Sequence, residues 1–285
     1  MSVVAQIRTA RGHARPLWGF IERQANIYKR FWAWEVLWFV YSFVSVASIG
    51  YLASGLGQIG VVGSSETAGA LRAAQLYLLA GALLWNYLSL VFMEVAYAIA
   101  WERWEGTIEY TFMAPVRRVT HLAGVCLFGV VYGMTRTLLI AIICVPLFGV
   151  DLSHANLAAV LAVLLLSTPA LIGLGILVAI APLLAPEKGE QMSMAMEGIL
   201  LLVSGVYYPL SVLPAPLHVL GELSPLTPML DGIRQALLHD AGLTTLAPQM
   251  GEVVGLGAGL CVSGLWLFAR AERRAKRLGL LKRSG

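Results

Sequence analysis

Four stretches of this chain contain no Asp, Glu, Lys or Arg, and each is long enough to cross a lipid bilayer. They lie at residues 36–56, 73–93, 155–186 and 198–221. A helix that spans the hydrocarbon core needs about 20 mostly apolar residues. The composition agrees, because only 13% of the 285 residues are charged, roughly half the usual share in soluble domains. We therefore predict an all-α transmembrane protein.

Six transmembrane helices fit the hydrophobic pattern, at about 36–56, 72–100, 120–147, 157–182, 192–212 and 251–269. The positive-inside rule sets their orientation. With a cytoplasmic N-terminus, all 20 Lys and Arg residues except Arg72, Arg136 and Arg234 fall in cytoplasmic segments. The sequence thus predicts a multi-pass protein with both termini in the cytoplasm. Its bias towards Ala, Leu and Arg is typical of a high-GC bacterium, and we therefore expect the protein in a bacterial inner membrane.

Basic and apolar residues alternate at helical spacing near the N-terminus. This pattern predicts that residues 1–34 form an amphipathic helix in the cytoplasmic membrane interface, ahead of a transmembrane domain at 35–270 and a basic tail at 271–285. The basic groups form separate clusters beside the membrane, which argues against a nucleic-acid partner. The apolar stripe consists of Ala14, Leu17, Trp18, Ile21, Ala25, Tyr28 and Trp32.

The connection between the second and third spans, residues 101–118, carries an unusual density of charge. It contains three Glu, three Arg and two Trp around Gly106. Glycine permits a break in a helix, and Thr107 is a good cap for a new one. The new helix should end before Pro115. We predict a helix–break–helix knuckle at the cytoplasmic face, with Glu side chains available to basic groups of a soluble partner.

Two motifs in this order resemble the type-2 ABC transporter permease family, which includes drug, polysaccharide and lipid exporters. The first comprises Glu102, Glu105-Gly106-Thr107, Ile108-Glu109 and Pro115. The second lies around the predicted element at 209–232, after the fifth span, and comprises Tyr208-Pro209, Leu213-Pro214, Ser224-Pro225 and an Asp near an Arg, Asp231 and Arg234. Proline at this density excludes one continuous helix. The resemblance implies a re-entrant extracellular element here, between spans five and six.

The resemblance also implies partners. The knuckle, through Glu102, Glu105, Gly106, Thr107 and Glu109, would dock on a separate ATP-binding cassette ATPase subunit, and a second permease copy or sister permease would complete a dimeric path. The sequence contains no G-x-x-x-x-G-K-[ST] loop, so ATP and Mg²⁺ would belong to the ATPase. We expect no cofactor, metal or catalytic residue in this chain, and the three widely spaced cysteines indicate no disulfide or metal site.

Three ionisable residues fall within predicted spans, where charge is costly and often functional. They are Glu94, Arg136 and Glu197. The resemblance places spans two and five along the translocation path, so Glu94 and Glu197 are candidates for binding a cationic or amphipathic substrate. The alternative for all three is hydrogen bonding to neighbouring helices. Tyr207 and Tyr208, at the outer end of span five, are candidate exit residues or membrane anchors.

The most favoured function is therefore the permease subunit of an ATP-driven exporter. One rival is a proton-coupled secondary transporter that uses Glu94 or Glu197 as the proton carrier. It leaves the Glu-Gly-Thr knuckle unexplained, and no inverted repeat is visible. A second rival, an intramembrane enzyme, would need clustered polar residues at one depth, and the sequence shows no convincing cluster.

Overall fold

The computed structural model describes residues 3–55, 67–114, 116, 118–150, 152–153, 155–185 and 187–280, and every regular element in these ranges is helical. The α-helices are α1 (Val3–Arg30), α2 (Trp32–Gly55), α3 (Thr67–Trp104), α4 (Ile108–Met113), α5 (Arg118–Leu147), α6 (Leu157–Val178), α7 (Ile180–Leu184), α8 (Gly189–Val203), α9 (Ala215–Glu222), α10 (Leu226–Leu238) and α11 (Ala247–Arg277). The all-α transmembrane prediction is confirmed.

Five helical stretches are long and apolar enough to cross a membrane: 32–55, 71–104, 119–147, 157–184 and 247–277. They match the first four and the last of the predicted spans. The predicted fifth span, 192–212, is wrong in its second half, because α8 ends at Val203. At a rise of 1.5 Å per residue α8 is only about 22 Å long. A turn follows it, with Gly205 at φ +67°, which a glycine adopts without strain.

Contacts between helices fix their directions. Glu94 and Tyr87 of α3 lie against Gly129 and Gly133 of α5, so these two helices are antiparallel. Ser89 of α3 contacts Glu197 of α8, and Gly81 of α3 contacts Val206 in the turn beyond α8. The helix α8 is therefore antiparallel to α3 as well. The knuckle therefore joins α3 to α5 at the end of the bundle where α8 begins.

The tightest helix pair is α6 with α11, which run parallel. Gly257 of α11 lies against the backbone of Ala170, and Gly264 lies against the carbonyl oxygen of Gly173. Small residues let two backbones approach closely where no hydrophobic effect drives helices together. The main core lies beside this pair, where Tyr87, Leu88 and Val91 of α3 pack on α6, α8 and α10.

The proline-rich region forms short helices, as the proline density predicts. A 3₁₀ turn at Leu210–Val212 precedes α9 and α10. Pro214 and Pro225 stand at the N-terminal boundaries of α9 and α10, where the missing backbone N–H costs nothing. The re-entrant position of this region in a membrane stays a prediction. The last helix continues to Arg277, beyond its predicted end at 269, and so includes the first part of the predicted basic tail.

Candidate functional site: the cytoplasmic knuckle and the polar contacts behind it

The knuckle has the predicted helix–break–helix form. The long helix α3 ends at Trp104, Gly106 takes φ +72°, and α4 begins at Ile108. Ile108 and Phe112 are buried in a cluster with Val95, Ile99 and Leu122. These apolar contacts hold the short helix against α3 and α5. The helix ends at Met113, as predicted, while Pro115 and Arg117 lie outside the described residues.

Arg23 of α1 ties the N-terminal helix to the knuckle. Its guanidinium donates to the Glu102 carboxylate at 3.2 Å, to the Glu105 carboxylate at 2.7 Å and to the Thr107 hydroxyl at 2.9 Å. A planar guanidinium with several donors suits such a bridge. The contact spans about 80 residues of sequence, and it fixes both sides of the Gly106 break to one side chain.

Glu102 faces inward, with only 1% of its surface exposed. Besides Arg23, it faces His121 of α5, whose Nε2 lies 3.0 Å from the carboxylate. The imidazole in turn packs on the ring of Phe20, with a centroid distance of 4.7 Å. Glu102 is thus engaged within its own chain, where it braces the knuckle against α1 and α5.

Thr107 occupies the N-cap position of α4, but the prediction that its side chain caps the helix is wrong. The hydroxyl makes no capping hydrogen bond, since Thr107 has φ −95° and ψ −6° and not the extended backbone typical of a capping residue. The hydroxyl accepts a hydrogen bond from Arg23.

The outward face of α4 consists of Glu109, Tyr110 and Met113, all exposed. Tyr110 is 80% exposed and Met113 is 84% exposed, although both are residue types that soluble proteins tend to cover. Trp104 lies exposed at the other side of the break. Beside it, a cleft of about 440 Å³ is lined by Glu105 and by one face of α1 that includes Glu22, Arg23 and Arg30. The knuckle therefore presents a mixed apolar and charged surface to the outside.

A second polar contact lies about three turns from the knuckle along α3. The Glu94 carboxylate accepts hydrogen bonds from the Gln24 amide at 2.8 Å and from the Tyr28 hydroxyl at 2.5 Å. Burial, and then the Glu94 charge, raises the pKa of Tyr28 well above its usual value, so the phenol remains a donor. Glu94 is buried between α3, α5 and α1, which is the helix-to-helix role considered in the sequence analysis.

Arg136 meets Glu35, at the start of α2, across a 3.9 Å ion pair. The guanidinium also donates to the Tyr132 hydroxyl at 2.6 Å and to the Ser42 hydroxyl at 3.1 Å. Tyr132 in turn donates to Glu35. This is a structural pairing, and its partner Glu35 was not singled out from the sequence because it lies just outside the predicted first span.

The knuckle and the polar contacts behind it lie in a part of the chain that matches a known family. A family model described as "ABC-2 type transporter" matches residues 17–238, a range that includes the knuckle, both polar contacts and the proline-rich region. This chain belongs to the ABC-2 type transporter family. It is therefore an ABC transporter permease subunit, a multi-pass membrane protein of a family that pairs with ATP-binding cassette subunits. A search of curated proteins finds no match.

In the permease, Glu197 lies on α8 and accepts a hydrogen bond from Ser89 of α3. It is partly exposed, unlike Glu94. The same helix is exposed over much of its surface. Its exposed apolar residues are Met192, Met194, Met196, Ile199 and Leu202.

The two candidate exit tyrosines of the permease lie in the turn beyond α8 and are both partly buried. Tyr207 packs against the main core. Tyr208 donates to the carbonyl oxygen of Leu202 at 2.6 Å.

Proposed function

We propose that this permease forms, with a second copy or a sister permease, the path by which an ATP-driven exporter moves an amphipathic substrate out of the cell. The substrate would be a drug-like molecule or a lipid. Separate ATP-binding cassette ATPase subunits would bind ATP and Mg²⁺ and dock at the knuckle. The observation that carries the proposal is the knuckle itself: a short helix anchored on its inner face, with large exposed side chains on its outer face.

The docking surface would be the outer face of α4, defined by Glu109, Tyr110 and Met113. Aromatic side chains and methionine are enriched at protein interfaces, and these two are highly exposed in the isolated chain. Glu105, partly exposed beside Arg23, lies at the edge of this surface. Glu102, Gly106 and Thr107 would act from beneath, by holding the shape of the break.

Arg23 offers a route by which docking would reach the membrane part. A push on α4 would move Glu105 and Thr107, and through Arg23 it would move α1. Along the same helix, Tyr28 contacts Glu94 of α3 and packs on Phe128 and Tyr132 of α5, with centroid distances of 5.0 and 4.7 Å. One helix thus contacts the knuckle and both helices that enter and leave it.

The decisive experiment is co-purification of the permease with the ATPase encoded beside it, with ATP hydrolysis as a second readout. We expect Tyr110→Ala combined with Met113→Ala to reduce binding at least ten-fold, the size of loss typical of interface anchors. Glu109→Arg should weaken binding as well. Leu278→Ala is the matched control, because it removes an exposed apolar side chain outside the knuckle. Equal binding by all variants would contradict docking on α4.

The path for the substrate would follow α8, with Glu197 as its charged contact. The exposed methionines of α8 suit a surface that adapts to varied shapes, and its exposed apolar residues are consistent with pairing to a second permease. Glu94 is the weaker candidate of the two acids, since its carboxylate is already occupied by two donors from α1. Tyr207 and Tyr208 would lie near the exit.

A second candidate is a proton-coupled secondary transporter that uses Glu94 and Glu197. It is favoured by one observation: among the described residues, neither acid has a Lys, Arg or His within 4.0 Å. Their hydrogen-bond partners are Gln24, Tyr28 and Ser89. Reconstitution in liposomes separates the two. Transport that needs the ATPase and ATP supports the exporter, whereas transport by the permease alone down a proton gradient supports the secondary transporter.

A further inference from the structure

Arg234, on α10, lies at the turn that follows α8. It is 6% exposed, and its guanidinium donates to the carbonyl oxygens of Gly205 at 3.1 Å and Val206 at 2.5 Å. These carbonyls belong to residues that no longer continue α8, so they lack helical partners. Arg234 supplies the missing donors from a neighbouring helix.

The same guanidinium lies over an aromatic ring of a third helix. Its Cζ is 3.6 Å from the centroid of Tyr77, on α3. Among the described residues no carboxylate lies within 4.0 Å of it, and Asp231, one turn earlier on α10, is exposed. The cation is therefore held by two carbonyl dipoles and one aromatic face, a desolvated arrangement in which a cation–π contact is worth most.

Gly81, one turn after Tyr77, brings the turn and α3 into closest contact. A Cβ at this position would collide with the carbonyl oxygen of Val206, so the absence of a side chain is what lets the turn lie against α3. Beneath the turn, the Ser204 and Ser224 hydroxyls meet at 3.0 Å and both residues are buried. Three elements, α3, α10 and the turn, thus meet at Arg234.

We propose that Arg234 and Tyr77 form a latch that holds the turn at residues 204–208 on α3, and that this latch opens during transport. It rests on the proposed function, in which substrate follows α8 towards this end of the bundle, opposite the knuckle. Substrate leaving along α8 meets the turn and displaces it. Because Arg234 bonds to backbone carbonyls of the turn and lies over an aromatic ring, releasing the turn separates no carboxylate from the guanidinium.

The first test measures closure directly, on purified permease in lipid nanodiscs without an ATPase. Ser204→Cys is reacted with a polar maleimide, and mass spectrometry locates the label, because Cys126, Cys144 and Cys261 are also present. In a Tyr77→Leu background we expect labelling at position 204 to become about ten-fold faster. Tyr77→Phe keeps the aromatic face but removes the hydroxyl, which also interacts with Arg234, so its labelling rate should lie much closer to the native rate than the rate of the leucine variant does. Arg234→Lys lacks the planar fork of donors that reaches both carbonyls, so its labelling rate should lie between the native rate and that of Tyr77→Leu.

Cys126 serves as the internal control for folding, since it is 3% exposed in the core. If Cys126 stays unlabelled while position 204 reacts faster in Tyr77→Leu, the loss of closure is local. Equal rates at position 204 with leucine, phenylalanine and tyrosine at position 77 would overturn the latch. If the leucine variant also labels at Cys126, the labelling rate at position 204 is compared between Arg234→Lys and the native residue, and equal rates would overturn the latch.

The second test addresses opening during transport, on the complex with its ATPase. During ATP turnover, labelling at position 204 should rise above the rate without nucleotide. A complex that hydrolyses ATP while position 204 stays closed would make the contact a static brace and overturn the proposal. Failure to find any coupled ATPase would instead contradict the proposed function and leave the nanodisc result standing, so the two failures are distinguishable.

Discussion

At the scale of single residues, Glu35 is the carboxylate that pairs with the buried guanidinium of Arg136. The guanidinium is buried, while the Glu35 side chain is 27% exposed. We predict that Glu35→Gln lowers the stability of the permease by about 2 kcal/mol, below the roughly 3–5 kcal/mol for breaking a fully buried pair. The loss arises because the cation then has only the Tyr132 and Ser42 hydroxyls. Thermal unfolding in detergent, followed by tryptophan fluorescence, measures it.

The double variant Glu35→Gln with Arg136→Met separates the pair from its surroundings. Removing both charges leaves no unpaired cation, so much of the lost stability should return. Additive losses in the two single variants and the double variant would show that Glu35 does not neutralise Arg136.

Residue-scale contacts are where the sequence was least informative. Glu94 was recognisable as a membrane acid, but its donors, Gln24 and Tyr28, come from about 70 residues away. The rotation of α1 about its axis decides which side chains face α3, and periodicity in the sequence does not fix that rotation. Thr107 has a residue type that favours capping, but its helical backbone conformation does not place the hydroxyl for it.

At the scale of elements, the close packing of α6 and α11 should make stability sensitive to a substitution of Gly257. A Cβ on Gly257 would come within 2.9 Å of the backbone nitrogen of Ala170, whereas one on Gly259 would have no neighbour within 4 Å. We expect Gly257→Ala to cost roughly 1–3 kcal/mol through overpacking. Gly259→Ala, two residues away on the same helix, should be neutral or stabilise by up to about 1 kcal/mol. Thermal unfolding of both variants makes the comparison, and equal effects would contradict backbone-to-backbone packing here.

The contact between α1 and the knuckle makes a second prediction at this scale. Arg23→Gln removes the charge that bridges Glu102, Glu105 and Thr107, and we expect α4 and the Gly106 break to exchange amide hydrogens faster, by roughly ten-fold. Arg23→Lys keeps the charge but not the fork of donors, so it should recover only part of the protection. Hydrogen-exchange mass spectrometry in nanodiscs measures both. Unchanged exchange in Arg23→Gln would show that burial of Ile108 and Phe112 alone holds the knuckle.

Element boundaries were predictable where backbone chemistry dictates them. Gly106 marked the knuckle break, and the prolines from Pro209 to Pro228 marked a region of short helices. The end of α8 was missed because residues 198–221 are uniformly apolar, and hydrophobicity alone does not distinguish a continued helix from a turn. Gly205 was the local signal, and its partner Arg234 lies 29 residues further on.

At the scale of the whole molecule, the positions of helix ends bear on how often the chain crosses the membrane. The helices α3, α6 and α11 run one way. Tyr87 of α3 contacts Thr168 of α6 and Val95 of α3 contacts Gly175 of α6, so these two helices are parallel, and α6 is parallel to α11 along Gly257 and Gly264. Since α6 and α11 start at the same end, the chain between them has to return. It does so through α8 and the turn beyond it, and the end of α10 bonds to the start of α6 through Asn156 and Ala236.

This geometry favours six crossings, with the short α8 and its turn as the fifth, and it predicts that the knuckle and the end of α11 share one side of the membrane. Met113→Cys and Leu278→Cys should both be protected from an impermeant maleimide added to intact spheroplasts, and both should react after lysis. Val212→Cys and Leu243→Cys should react without lysis, because they lie at the opposite end of α8 and at the start of α11. Labelling of Leu278→Cys from outside, with Val212→Cys and Leu243→Cys protected until lysis, would mean that α8 does not cross. The chain would then have five crossings, and the positive-inside assignment of its last basic segment would be wrong.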